Sequence, residues 1–123
     1  MVKRDDIMWA AGFLEGEGCF QSSRNTALIT ATQVQESPLL KLDSVFGGKI
    51  RYFSRRNPSG YVTNYYRWEL YGAAAVGMMM TLFSLMSPKR KTAIDKVIRR
   101  WRNAPGQQRN VITGRFLQKE VVV

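Results

Sequence analysis

Apolar positions at the start of the chain recur at helical spacing: Ile7, Ala11 and Leu14 fall on one face, and Ala10 and Phe13 widen it. Asp5 and Asp6 precede this run and are expected to cap the helix, with negative charge at its favourable end. Gly16 and Gly18 are expected to end it. The alternating segments CFQSSRN and TALITATQVQ predict a hairpin turning at Asn25. SPLLKLDSVFGG predicts a short helix: Ser37 caps it, Pro38 opens the first turn, Leu39, Leu42 and Phe46 point inward, and Gly47 stops it. KIRYFSRR and NYYRWELYG flank the turn NPSG and predict a second hairpin. The apolar run 73–86 is too short to span a bilayer and fits a buried core helix. A further helix restarts at Ser87–Pro88, with Ala93, Ile94, Val97, Ile98 and Trp101 as its apolar stripe. The order is helix, hairpin, helix, hairpin, helix and then a basic helix: an α+β domain over residues 1–102. The tail 103–123 has no pattern that assigns it a structure.

Charge narrows the partners. The chain carries 19 Lys+Arg against 9 Asp+Glu, a formal net charge of +10, which predicts a polyanionic partner. Residues 1–46 hold 4 basic and 6 acidic groups, whereas 47–123 hold 15 and 3. The basic character therefore belongs to the second part of the chain, and the acids gather near the first helix. With no His and one Cys, Cys19, a disulfide, a His/Cys zinc site and a histidine general base are excluded. Any metal must be a hard, oxygen-bound cation such as Mg²⁺. The first residues already fit the opening helix, so no leader is expected. That fits the cytoplasm for a bacterial or phage gene and the organellar matrix or stroma for an organellar one.

The stretch WAAGFLEGEGCF (9–20) ends a helix in two carboxylates, Glu15 and Glu17, where the backbone already carries partial negative charge. A cation is expected beside them. AAGFLEGEG (10–18) resembles the signature of the LAGLIDADG homing endonucleases. The likeness extends to element order, α-β-β-α-β-β-α, and to the segments TATQVQESPLLKLDSVFGGKI and SPKRKTAID.

That resemblance implies a homing endonuclease core with a curved antiparallel β-sheet saddle for DNA, followed by a C-terminal basic helix. It implies a homodimer in which two signature helices pack through Gly12 and Gly16. Because the chain holds one signature, each copy supplies one metal-binding carboxylate. Cutting both strands of a long pseudo-palindromic target then takes two copies. Glu17 matches the metal-binding acid, and the Gly16 carbonyl a backbone ligand beside it. Mg²⁺ is the implied cofactor, bridging protein and scissile phosphates. Glu15 matches a structural position. Gln33 matches a polar residue that orders the attacking water, with Gln35 an open alternative, and Lys89 matches a basic residue near the cleaved phosphate, with Lys91 as its alternative.

Period-2 alternation assigns the side chains facing DNA. Cys19, Gln21, Ser23 and Asn25 share one parity; Thr26, Thr30 and Thr32 face out if Ile29, Ala31 and Gln33 face in, with Leu28 available for a thymine methyl. In the second hairpin Lys49, Arg51 and Arg55 form one set, and Tyr65, Arg67 and Glu69 another. Lys91 is expected to reach DNA as well, while Arg99, Arg100 and Arg102 suit phosphates. The competing reading is a non-catalytic nucleic-acid-binding protein on the same scaffold, an intron RNA maturase or a regulator. A membrane-surface protein is disfavoured for want of an amphipathic helix with an isolated apolar face.

Overall fold

The structure, a computed structural model, describes residues 2–104. The tail 105–123, most of the segment left unassigned above, lies outside the described residues. Helix α1 (Arg4–Glu17) leads into strands β1 (Gly18–Ser23) and β2 (Thr26–Gln33); α2 (Ser37–Phe46) is followed by β3 (Lys49–Arg56) and β4 (Val62–Tyr71), then α3 (Gly72–Leu82) and α4 (Pro88–Asn103). All strand pairs are antiparallel, in the spatial order β1-β2-β4-β3. This is the expected α+β element order, with the basic α4 closing it.

The helices lie against one face of the sheet. Phe20, Ile29, Ala31, Trp68 and Leu70 form the sheet side of the core, and Ala10, Leu14, Leu39, Leu42, Met79, Leu82 and Ile94 form the helix side. The cross-strand pairs Phe20↔Ile29, Ile29↔Leu70 and Ala31↔Trp68 tie this inner face together. The alternate positions form an open face, and that parity matches the sequence reading because one face alone is buried.

Turn chemistry fixes the hairpins. Arg24 and Asn25 both adopt positive φ, 52° and 66°, the two-residue geometry that suits the twist of a hairpin. In the second hairpin the Asn57 carboxamide accepts from the Ser59 hydroxyl and from the Tyr61 backbone N–H. The double glycine at 47–48 has a packing reason. Trp68 Nε1 donates to the Gly47 carbonyl at 2.9 Å, and a Cβ on Gly48 (φ +113°) would stand 2.6 Å from that same nitrogen.

Several boundaries differ from the sequence reading. Lys3, not Asp5 or Asp6, is the residue before α1, and both aspartates sit inside its first turn, where they act on the helix dipole instead of capping. Ser37 is already helical and Glu36 precedes α2, since Pro38 fits the second helical position as well as the first. Gly16 stays within α1, and Gly18 alone ends it, donating its N–H to the Leu14 carbonyl. The apolar helix stops at Leu82 and tightens into a 3₁₀ turn over Phe83–Leu85.

Candidate nuclease centre and nucleic-acid interface

The last turn of α1 presents its two glutamates in opposite directions, as residues two apart on a helix must. Glu15 turns towards the start of α4. Its carboxylate accepts from the Ser87 backbone N–H at 2.8 Å and from the Ser87 hydroxyl at 2.7 Å. Arg90 donates through Nε and a terminal nitrogen to the Glu15 backbone carbonyl, at 3.1 and 2.9 Å. The Ser87 backbone N–H and then its hydroxyl hold the Glu15 carboxyl below its ordinary range; burial opposes them, and the Arg90 charge adds a smaller lowering effect. The C-terminal end of one helix thus meets the N-terminal end of another, and each residue satisfies groups the other helix leaves open.

Glu17 turns the other way, into solvent at the mouth of the sheet. Its Oε1 accepts from Gln33 Nε2 at 2.9 Å. Gln33 is the last residue of β2 and pairs with Tyr66 of β4, which sets it one step beyond the buried Ala31 on the same face. Gln35 lies past the strand and is exposed; Gln33 is the glutamine joined to Glu17. Lys89 is exposed in the first turn of α4, two residues after Ser87. No hydrogen bond or ion pair joins it to Glu17 among the described residues. The Lys91 ammonium lies 5.6 Å over the Phe83 ring.

Arg90 was not singled out by sequence reasoning, yet a signal existed. A cation in the first turn of α4 and an anion in the last turn of α1 are each misplaced for their own helix dipole. Two misfits of opposite sign are relieved together when the ends meet.

The donors fit a hard cation only in part. Glu17 offers an exposed carboxylate, and the Gly16 carbonyl belongs to the helix end whose orphan C=O groups favour positive charge. All donors are oxygens, yet no cluster of three acidic, His or Cys side chains exists among the described residues. One chain therefore supplies at most a partial set of oxygen donors among the described residues.

The open face of the sheet carries Cys19, Gln21 and Ser23 from β1, Thr30 and Thr32 from β2, Arg67 from β4, and Lys49, Arg51 and Arg55 from β3, through the pairs Cys19↔Thr30, Thr32↔Arg67, Arg51↔Arg67 and Lys49↔Glu69. Asn25 departs from the expected parity: it occupies the turn, and its side-chain oxygen accepts from Arg100 at 3.3 Å. Leu28 shares the open face but is buried, so it offers little surface to a thymine methyl. Glu69, 6% exposed, accepts from Arg51 Nε at 2.9 Å, and the Arg67 guanidinium lies 4.9 Å over the Phe53 ring. A buried acid thus orients one arginine of a basic face, and its terminal nitrogens have no partner among the described residues.

Gly12 and Gly16 lie on the exposed face of α1, and a Cβ on either would meet nothing within 4 Å. Met8, one turn earlier on that face, is half exposed.

An α+β sheet with one helix-covered face and one open basic face defines a saddle-type scaffold. The sequence matches no protein-family model and no curated relative. Solved structures match. The homing endonuclease I-CvuI, in complex with its target in the presence of Ca, superposes with a TM-score of 0.62 at 18% identity, covering 90% of this chain and 76% of that one. I-CvuI bound to uncleaved DNA in the presence of Mg gives 0.54 at 18%, over 82% and 72%. The archaeal intron-encoded homing endonuclease I-Vdi141I, complexed with DNA, gives 0.56 at 17%, over 75% and 65%. The chain has the LAGLIDADG homing endonuclease fold, as its sequence signature implied.

Proposed function

We propose that this protein is a site-specific DNA endonuclease of the homing type, acting as a homodimer on a long pseudo-palindromic target with Mg²⁺. The observation that carries the reading is the Glu17–Gln33 pair at the end of α1, in a domain whose sheet presents Lys49, Arg51, Arg55 and Arg67 on its open face. A protein that only binds nucleic acid gains nothing from an exposed carboxylate beside phosphates, because the two repel.

Glu17 and the Gly16 carbonyl would hold the cation, and bound Mg²⁺ would acidify water and stabilise charge on the scissile phosphate. Gln33 orients the Glu17 carboxylate through its amide N–H and keeps its own oxygen available to a water. Lys89 supplies positive charge near the phosphate from the first turn of α4. The open face reads bases, with Gln21, Ser23, Thr30, Thr32 and Arg67 in the groove and Arg51 suited to guanine; Lys91 and Asn25 serve the DNA backbone. The bare exposed glycines of α1, with Met8 beside them, support helix-to-helix contact between two copies, which would bring two Glu17 residues together.

The test is capture of duplexes from a randomised library in Ca²⁺, followed by addition of Mg²⁺. Double-strand scission at a recurrent two-fold sequence is the expected result. Selective capture without scission in Mg²⁺ would instead assign the chain to the non-catalytic class, with RNA binding then measured on the same protein.

A further inference from the structure

We propose that Arg90 is a positioning residue for the cation ligands at the end of α1, an inference that rests on reading Glu17 and the Gly16 carbonyl as those ligands. The last carbonyls of a helix lack intrahelical partners. In α1 the Leu14 carbonyl takes the Gly18 N–H, and the Glu15 carbonyl takes two N–H groups of Arg90. The next residue is Gly16, the residue type with the greatest conformational freedom. Among the described residues no neighbouring element presses on it from the side, since a Cβ there would meet nothing within 4 Å.

The orientation of the Gly16 peptide is therefore set from its two sides. Downstream, Gly18 is anchored by pairing with Ala31 and by the closeness of Leu14, whose carbonyl oxygen would lie 2.8 Å from a Cβ on Gly18. Upstream, the only side chain gripping the Glu15 carbonyl among the described residues is Arg90. Arg90 is itself held. Its guanidinium sits 6.0 Å over the Phe20 ring and 3.9 Å from the Glu15 carboxylate, which Ser87 fixes in turn. A forked, rigid donor suits two bonds to one oxygen; a lysine could supply charge but not that geometry. Arg90 also adds positive charge at a helix end where carboxylates of two copies would converge.

The experiment titrates Tb³⁺ by luminescence, and Mg²⁺ by single-turnover scission, on the full chain bound to its selected duplex. Arg90→Met should raise both cation midpoints by about ten- to a hundredfold, the usual effect of removing a group that orients a ligand. Arg90→Lys should fall between it and the native protein, and DNA affinity in metal-free buffer should not change. Leu39→Val, a core change in α2, controls for stability. Native midpoints in Arg90→Met, or an equal rise in Leu39→Val at matched melting temperature, would overturn the proposal. If Arg90→Met does not fold, Arg90→Lys decides between the outcomes: an elevated midpoint supports the role and a native one refutes it. Glu17→Gln separates the two levels of inference, since a retained Tb³⁺ signal there would refute the ligand assignment itself, whatever Arg90 does.

Discussion

At the residue scale, Glu15 and Glu17 occupy the same helical turn and differ only in what they face. Glu15 is a clip. Its folded-state pKa lies below the ordinary 4.5, so its contribution to stability is complete above that value and is lost as pH falls through the lowered one. Glu15→Gln should therefore flatten the acid limb of a pH–stability profile measured by thermal melting, while the native protein loses melting temperature as the clip protonates. Glu69 is a buried acid with a different task, holding Arg51 by its Nε. If Arg51 reads a base as proposed, Glu69→Gln should relax preference at that position by about 1–3 kcal/mol of discrimination, as read by profiling a site library. Affinity for the remaining positions should stay comparable.

At the element scale, the glycines of α1 and of its junction with β1 have opposite consequences. Gly12 and Gly16 stand in open space and Gly18 does not. Gly12→Ala should stabilise the isolated fold by up to about 1 kcal/mol through helix propensity, and Gly12→Leu should abolish self-association in sedimentation while leaving the fold intact. Gly18→Ala should lower the melting temperature, because its Cβ would press on the Leu14 backbone. The strand faces were legible in the sequence because one face is buried and the other solvated, which imposes period two on Phe20, Ile29, Ala31, Trp68 and Leu70. Helix starts were less legible. Asp5, Asp6 and Ser37 are all good capping types, and neighbouring contacts, not residue type, decide which position begins the helix. The Ser87–Glu15–Arg90 cluster left only a faint trace in the sequence, two charges misplaced for their own helix dipoles, since it joins residues more than seventy apart and arises only when α4 docks against the end of α1.

At the scale of the whole molecule, a formal charge of +10 and an open face bearing Lys49, Arg51, Arg55 and Arg67 predict binding dominated by phosphate neutralisation. The logarithm of the affinity should fall linearly with the logarithm of salt, with a slope near −0.9 per phosphate contact; a flat response would contradict a duplex on this face. The nuclease assignment itself hangs on a single carboxylate. On the selected duplex, at matched DNA occupancy and saturating Mg²⁺, the native chain should cut both strands. Glu17→Gln should bind equally well and cut neither. Equal cleavage by the two proteins, or none by the native chain, would contradict the account.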